Sequence, residues 1–408
     1  MRLPTRFGPL SEREFRRYFA GQAVSLLGDG MAPLALAFAV LELTGSPTDL
    51  GFVFAARMFP WVAALLVGGV FADRLSRRGV MVGADLLRFA SQGLTAALLL
   101  THTASLWQLL VLQALTGAGN GFFAPALTGL TPAVVSAERL QQANALRGMA
   151  MAGGEIAGPA LAGALVATAG PGWAIAVDAA TYAVSAFFLA LLSVPRNEAL
   201  PAQSFLRDLV DGWDEFRARR WLVTIVLAAG VLNLLYAPFF VFGPAISRSS
   251  LGGAGAWALI LAVFSAGAFA GGLVALRMRP RRPLVRAFGA ISFSGLPIAL
   301  LALHASVLAI AAGALLAGGG LTLGNTLWET TLQERVPAHI LSRVTAYDWF
   351  GSLAFQPVGY AVAGPVAAVL GVSPTLWVAA LGMVVLAAFV ASLPIVREVE
   401  RRAEPITA

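Results

Sequence analysis

Twelve apolar stretches of membrane-spanning length follow one another along this 408-residue chain. A helix needs about 20 residues to cross a bilayer, so these stretches and short connections account for most of the sequence. Only 12% of the residues are charged, roughly half the share found in soluble proteins. We therefore predict an all-α integral membrane protein, with spanning segments near residues 17–41, 49–72, 80–101, 105–130, 144–169, 172–194, 219–246, 254–277, 285–304, 306–330, 344–370 and 373–393.

Arginines are concentrated in alternate connections, which predicts the orientation. They occur at both chain ends and in the connections 73–79, 131–143, 195–218, 278–284 and 331–343. The opposite connections carry none apart from Arg248. Because positive loops resist translocation, both termini are predicted to be cytoplasmic, in a multi-pass protein of the bacterial inner (plasma) membrane. Topology also accounts for the net charge of +7, so no nucleic-acid partner is predicted.

The two halves of the chain resemble each other. A charged connection, 195–218, separates residues 1–194 from residues 219–408. Residues 135–170 align without gaps on residues 336–371, and the identities include Gly158 with Gly359, Gly163 with Gly364 and Gly170 with Gly371. Two parallel six-helix repeats are typical of carriers that expose a midplane site alternately to the two sides. We therefore predict an N-terminal bundle, a cytoplasmic linker and a C-terminal bundle with a short cytoplasmic tail.

The hairpin between the second and third stretches has an unusual composition. It reads Gly-Gly-Val-Phe-Ala-Asp-Arg-Leu-Ser-Arg-Arg over residues 68–78, with an acid among the arginines. This hairpin resembles the signature loop of the major facilitator superfamily, with Ser76 at a position where glycine is usual. The resemblance implies twelve transmembrane helices in two pseudo-symmetric bundles. It also implies a cytoplasmic gate that contains Gly69, Asp73, Arg74, Arg77 and Arg78.

The fifth stretch carries a second resemblance. Residues 154–163 read Gly-Glu-Ile-Ala-Gly-Pro-Ala-Leu-Ala-Gly, which is similar to a motif of the exporters of the superfamily. Glycines permit close helix contact and a proline bends a helix, so the motif is predicted to act at a gate. Ordinary packing of small residues is the alternative. The residues of this predicted helix-five gate motif are Gly154, Gly158, Pro159 and Gly163.

A few charged residues fall inside predicted spanning segments. Such groups are costly in a bilayer, so each is expected to face a cavity or a partner. Asp29, midway along the first segment, and Glu155, at similar depth on the fifth, are candidates for proton uptake and release. Arg57 on the second segment is expected to pair with Asp29, with binding of an anionic substrate group as the alternative. Asp178, placed near the outer end of the sixth segment, is interpreted as structural.

Further charges are expected to cluster towards the cytoplasmic side, among them Asp85 and Arg88. Arg147 and Asp348 occupy equivalent positions of the two repeats and carry opposite charges. A latch between the halves requires such an arrangement. A surface network of ion pairs without a gating role is the alternative. Together with the loop residues named above, the predicted cytoplasmic gate includes Arg147, Glu329 and Asp348.

Neutral polar residues and aromatic residues alternate in several segments. Mostly apolar walls with a few orienting amides suit an amphipathic organic molecule. Gln113 stands where drug-proton antiporters of the superfamily often have arginine, which weakens the transfer of their mechanism to this chain. The predicted substrate cavity is lined by Gln113, Asn120, Phe123, Asn233, Tyr236, Phe240 and Gln356.

The sequence favours a carrier over an enzyme. It has no cysteine, no nucleotide-binding P-loop and no convincing catalytic or metal-ligand constellation, so no cofactor and no metal are predicted. The resemblance to efflux-type carriers, which covers nearly the whole chain, implies a monomer that exports a drug, antibiotic or secondary metabolite by proton antiport. Alternatives are a nutrient importer or uniporter for a sugar or organic anion, and a carrier-like sensor that transports nothing.

Overall fold

The computed structural model of the chain describes residues 8–74, 76–194 and 213–400, and for residues 66–74, 338, 339, 342 and 343 it describes the backbone alone. This described part is helical and contains no strand. The first half is formed by six long helices: α1 (Arg13–Thr44), α2 (Pro47–Arg74), α3 (Arg77–Leu100), α4 (Leu106–Val134), α5 (Leu140–Ala169) and α6 (Pro171–Ala190).

The second half also contains six spanning segments, but two of them are interrupted. The ninth segment is broken by a 3-10 turn, and the eleventh is broken just before Gln356, where Pro357 starts a new helix. The helices are α7 (Arg220–Ile246), α8 (Ala254–Arg277), α9 (Pro283–Ile291), α10 (Gly295–Ala302), α11 (Val307–Arg335), α12 (Ala338–Leu353), α13 (Gln356–Leu370) and α14 (Val372–Ser392).

Eleven helical segments in the described part of the chain are long and apolar enough to cross a membrane. The exception is α3, whose sequence is more polar than that of the others. Each of the twelve predicted segments is nevertheless helical. The prediction of an all-α membrane protein is confirmed.

The described helices pack as two units. Helices α1–α6 and the short segment Ser247–Ala258 form the first unit, and α7 with the residues from Leu259 onward forms the second. Most of the predicted linker, 195–218, lies outside the described residues, so the predicted domain boundaries stay a prediction.

The internal packing of the first unit recurs in the second. In the first unit α1 packs on α5 and α6, and α3 packs on α4 and α6. In the second unit α7 packs on α12, α13 and α14, and α9 and α10 pack on α11 and α14. These pairs correspond one to one, as expected for two copies of one six-helix repeat.

Glycines shared by the two halves have the same structural reason in each. Gly170 and Gly371 precede α6 and α14 with φ of 91° and 90°, values that favour glycine. A side chain on Gly158 would overlap the backbone of α1, and one on Gly359 would overlap the backbone of α7. The identities found in the sequence therefore mark positions where a helix turns sharply or two helices touch.

Candidate functional site

Arg88 of α3 lies at the centre of a buried polar cluster in the first unit, with only 3% of its side chain exposed. Its Nη2 forms an ion pair with Asp85, one turn earlier on the same helix, and its Nη1 donates a 3.1 Å hydrogen bond to Oδ1 of Asn120 on α4. Its Cζ lies 4.3 Å from the ring centroids of both Phe123 and Tyr182. The ion pair and the cation–π contacts offset the cost of removing this charge from water.

Asp29 joins this cluster from α1. Its Oδ1 accepts a 2.6 Å hydrogen bond from the hydroxyl of Tyr182 and lies 3.9 Å from Nη1 of Arg88. The side chain of Asp29 is 33% exposed, whereas Asp85 is completely buried. Of these two carboxylates, Asp29 is therefore the one that is accessible from outside the cluster.

A second chain of hydrogen bonds ends at Asp178 of α6. Arg57 Nη1 donates to Gln113 Oε1 over 3.4 Å, and Gln113 Nε2 donates to Gln92 Oε1 over 2.8 Å. Gln92 Nε2 then donates to Asp178 Oδ2 over 2.7 Å. Both amides and Asp178 are fully buried. Because each amide accepts through oxygen and donates through nitrogen, the chain has one direction, from a cation to a carboxylate.

The two networks together contain more acids than bases. Asp29, Asp85 and Asp178 face two cations, Arg57 and Arg88. Among the described residues, Oδ1 of Asp178 and Oδ2 of Asp85 have no hydrogen-bond partner. With all three acids ionised, one negative charge in this cluster has no cationic counterpart, which is costly in low-dielectric surroundings.

The spacing of polar residues in α3 explains why the cluster forms. Asp85, Arg88, Gln92 and Thr95 recur at intervals of three or four residues and therefore share one face of the helix. In a bilayer a polar face must turn away from lipid. This face of α3 is buried, and α3 packs on α4 and α6, which supply Asn120, Gln113 and Asp178.

The second unit has no such cluster at the corresponding positions. A side chain on Gly119 of α4 would meet the carbonyl of Ala84 on α3, and one on Gly320 of α11 would meet the carbonyl of Ala290 on α9. The two alanines therefore occupy equivalent positions. One and four residues after them come Asp85 and Arg88 in the first unit, and Ile291 and Ser294 in the second. The repeat thus folds without these charges, which favours a functional reason for them in the first unit.

A comparison with models of protein families shows the family of the chain. The model of the Major Facilitator Superfamily matches residues 18–352, most of the sequence. The chain belongs to the Major Facilitator Superfamily. This is a family of multi-pass membrane transporters and not of enzymes, and the resemblance predicted from the signature loop is confirmed.

Characterised relatives within the superfamily include exporters. Macrolide efflux protein A of Streptococcus pyogenes is 26% identical over 266 residues, which are 64% of this chain and 65% of that protein, so the match spans slightly less than two thirds of the relative. Enterobactin exporter EntS of Citrobacter koseri is 27% identical over 389 residues, 91% of this chain and 89% of that protein. The predicted resemblance to efflux-type members is confirmed.

Solved structures with the same fold include transporters of other kinds. The nucleoside transporter NupG superposes with a TM-score of 0.74 at 14% identity, covering 93% of this chain and 98% of that one. The D-xylose-proton symporter gives 0.68 at 15% identity, covering 94% and 98%. At such identities the likeness shows the fold of the superfamily and nothing finer.

The structure corrects the predicted pairing of Arg57 with Asp29. The cation beside Asp29 is Arg88, and the hydrogen-bond partner of Arg57 is Gln113. The reason lies in the packing of the helices. Both α1 and α3 pack on α6, where Tyr182 contacts Asp29 and Arg88, whereas α2 packs on α4, which carries Gln113.

The predicted depth of Asp85 and Arg88 was also wrong. Asp85 and Arg88 were expected towards the cytoplasmic side, but Arg88 lies halfway along α3 and contacts Asp29. Asp178 lies in the first half of α6 and is fully buried against Gln92, and its structural role stays a prediction. Arg88, Gln92 and Tyr182 were not predicted as members of a site. The regular spacing of polar residues along α3 is the signal that would have found the first two.

The helix-five motif lies at the level of Asp29. A side chain on Gly154 would meet the carbonyl of Leu26, and one on Gly158 would meet the backbone of Gly30. Pro159 and Gly163 are also buried. The motif therefore lets α5 approach α1 closely on both sides of Asp29, and its role in gating stays a prediction. Glu155 is exposed, and its predicted role in proton coupling stays a prediction too.

The predicted cytoplasmic gate is described in part. The side chains of Gly69, Asp73 and Arg74 lie outside the described residues. Ser76 caps α3 by accepting a 3.1 Å hydrogen bond from the amide of Gly79. Arg77 donates to the carbonyl of Gly129 over 2.7 Å, and Arg78 donates to the carbonyl of Ala190. These arginines thus tie the start of α3 to α4 and α6, and the gate itself stays a prediction.

The remaining gate residues belong to different units. Arg147 lies on α5 of the first unit. In the second unit Oδ2 of Asp348 accepts a 3.0 Å hydrogen bond from Nε1 of Trp328, and Glu329 is exposed. The latch between Arg147 and Asp348 stays a prediction.

The residues predicted to line a substrate cavity are distributed over both units. Gln113 is corrected, because its fully buried side chain is part of the hydrogen-bond chain and faces no cavity. Phe123 and Tyr236 are also buried, the latter between the aromatic neighbours Phe239 and Phe240. Three amides are half-buried and hydrogen-bonded: Asn120 to Arg88, Asn233 to the carbonyl of Ser352, and Gln356 to the hydroxyl of Tyr360.

Proposed function

We propose that this chain is a secondary active transporter that exports a hydrophobic or amphipathic small molecule by proton antiport and alternating access. The observation that carries the proposal is the buried cluster in which three carboxylates face two guanidinium groups. Asp29 is the partly exposed acid of that cluster. An accessible carboxylate in a cluster with an excess of negative charge is suited to bind and release a cation during a transport cycle.

A proton is the cation that fits this cluster best. Asp29 already accepts a short hydrogen bond from Tyr182 and lies close to Arg88, which leaves no cage of oxygen ligands for a metal ion. No group of His, Asp and Glu residues in the described part of the chain is arranged to hold one. Protonation of Asp29 would neutralise its carboxylate, which weakens its attraction to Arg88 and removes the excess negative charge of the cluster. The contacts that Asp29 makes between α1, α3 and α6 would change as a result.

The energy available from one proton is adequate for export. A charge that crosses a membrane potential gains about 2.3 kcal/mol per 100 mV. Since a tenfold concentration ratio costs about 1.4 kcal/mol, one proton per cycle supports a substrate gradient of roughly 50-fold at that potential. In this proposal Arg57 holds the far end of the hydrogen-bond chain, and Glu155 is a second acid through which protons reach the cluster.

The relatives support the direction and the substrate class. One is named for the efflux of macrolides and one for the export of enterobactin. Both cargoes are large organic molecules that leave the cell. A drug, an antibiotic or a secondary metabolite is the corresponding cargo for this chain. Cells that carry it are expected to be less susceptible to such a compound.

Transport in inside-out membrane vesicles tests the proposal. Vesicles that contain the chain, with an acidified lumen, are given a radiolabelled macrolide or radiolabelled enterobactin. Accumulation that depends on the chain and collapses on adding a protonophore is expected. Vesicles without the chain provide the background. Uptake that requires the opposite gradient would support an importer instead, and the absence of any flux for a broad panel of amphipathic compounds would support a carrier-like sensor.

A further inference from the structure

The second unit contains a cavity of about 240 Å³ between α7, α9, α11 and α12. The lining residues from α9 are apolar, Leu284 and Phe288 among them. Helices α11 and α12 supply two indole rings and two carboxylates, namely Trp328, Trp349, Glu329 and Asp348. Its described lining includes no arginine and no histidine.

We propose that this cavity binds the cationic ammonium group of an amphipathic molecule. That the molecule is also transported rests on the proposed function, whereas binding itself does not. The proposal gives Glu329 and Asp348, which the sequence placed at a gate, a role in contacting the ligand. Of the residues predicted to line a substrate cavity, Asn233 belongs to the lining of this one.

The charged side chains in the described lining of the cavity are both acidic. Both carboxylates lie in helices that cross the membrane: Glu329 less than two turns from the end of α11, and Asp348 on α12. Among the described side chains, neither forms an ion pair with an arginine or a histidine. Acids in such positions need a counter-charge, and a ligand cation is a group that supplies it.

Two tryptophans accompany these carboxylates. Trp328 donates its Nε1 proton to Asp348 over 3.0 Å, which fixes its ring beside that carboxylate. Trp349 follows Asp348 directly and is 55% exposed, so its ring is available to a ligand. Indole faces attract organic cations, and the attraction is larger where water is excluded. A pair of indoles beside a pair of carboxylates is therefore selective for a cation that has an apolar surface, such as an alkylated amine.

The size of the cavity limits what enters it. Drug-sized ligands occupy sites of about 300–1,000 Å³, so 240 Å³ suits the head of such a molecule and not the whole. The apolar residues of α9 receive the adjoining hydrocarbon. Asn233 and Asn325 add neutral polar groups to the lining, and Asn233 is already oriented by its bond to the carbonyl of Ser352. The site thus fits a head group with one positive charge and a short apolar stem.

Equilibrium binding to the purified full-length protein tests the proposal without any ion gradient. The protein in lipid nanodiscs is titrated by calorimetry with benzyltrimethylammonium and with benzenesulfonate, an aromatic anion of similar size. Empty nanodiscs give the background for each compound. The cation is expected to bind, and the anion at least tenfold more weakly.

Substitutions in the cavity locate the binding. Glu329→Gln and Asp348→Asn are each expected to weaken the binding of the cation about tenfold, and Trp349→Leu about fivefold. Matched controls come from a different cavity, in the first unit, that also contains an acid and an exposed indole. Glu42→Gln and Trp173→Leu are expected to change the affinity less than twofold.

Two results would overturn the proposal. One is binding of the anion as tight as that of the cation, and the other is wild-type affinity in both Glu329→Gln and Asp348→Asn. If Asp348→Asn does not fold, Glu329→Gln decides alone, since Glu329 is exposed. Cation binding without export would contradict the proposed function and leave this inference standing. Export by a protein that binds no cation would contradict only the inference.

Discussion

Replacing Arg88 by serine tests the energetic role of the buried cluster. Serine is the residue at the equivalent position of the second unit, Ser294, so the repeat tolerates its size. The substitution leaves Asp85 buried with no cation, and breaking such a pair costs about 3–5 kcal/mol. For a unit of this length, 1 kcal/mol corresponds to roughly 2–4 °C in melting temperature, which predicts a decrease of about 6–20 °C for Arg88→Ser.

The double substitution Asp85→Ile with Arg88→Ser separates the cost of an unpaired charge from the cost of lost packing. It copies both residues of the second unit, Ile291 and Ser294, and removes the pair altogether. Replacing a buried ion pair by apolar residues is often neutral, so the double variant is expected to recover more than half of the lost melting temperature.

Differential scanning fluorimetry of the full-length protein in detergent measures these variants. Asp85→Ile alone is the remaining corner of the cycle and is expected to be less stable than the double variant, because it leaves Arg88 without its closest counter-charge. Melting temperatures for Arg88→Ser within 2 °C of the wild type would refute the reasoning. A double variant that melts lower than both single variants would refute it as well.

Three further variants address the packing and charge of the first unit. Gly158→Leu inserts a side chain into the backbone of Gly30 and is expected to abolish the yield of folded protein on size-exclusion chromatography, whereas Gly153→Leu, where the space is open, is expected to give a normal yield. A normal yield from Gly158→Leu would contradict the close contact of α1 and α5. Asp178→Asn keeps an oxygen that accepts from Gln92 and removes the uncompensated charge, so its melting temperature is expected to equal or exceed that of the wild type. A decrease of more than 5 °C on thermal unfolding would show that the Asp178 charge is needed.

The number and order of the helices were predictable because a bilayer leaves few alternatives. Each spanning segment must satisfy its backbone within a helix, so apolar runs translate directly into elements. The interruptions of the ninth and eleventh segments were not predicted. Pro357 marks the break before α13. The segment is mostly apolar on both sides of it, so hydrophobicity alone does not reveal the break.

The candidate site was predictable only in part. Asp29 stood out because an acid halfway along an apolar helix is rare. Its partner was misassigned because pairing depends on which helices touch, and Arg88 was predicted to lie towards the cytoplasmic side. The packing of α3 on α6, with Tyr182 between the two charges, decided in favour of Arg88. Gln113 was taken for a cavity residue because its burial depends on the same packing.

Proton-coupled transport by Asp29→Asn tests the central claim most directly. The variant is compared with wild type and with Glu42→Gln, an exposed acid of the same helix that lies outside the cluster, in inside-out vesicles with an acidified lumen. We predict that Asp29→Asn loses accumulation against the gradient but keeps exchange of labelled for unlabelled substrate at equilibrium, and that Glu42→Gln keeps both. Accumulation by Asp29→Asn within twofold of the wild-type level would contradict the account.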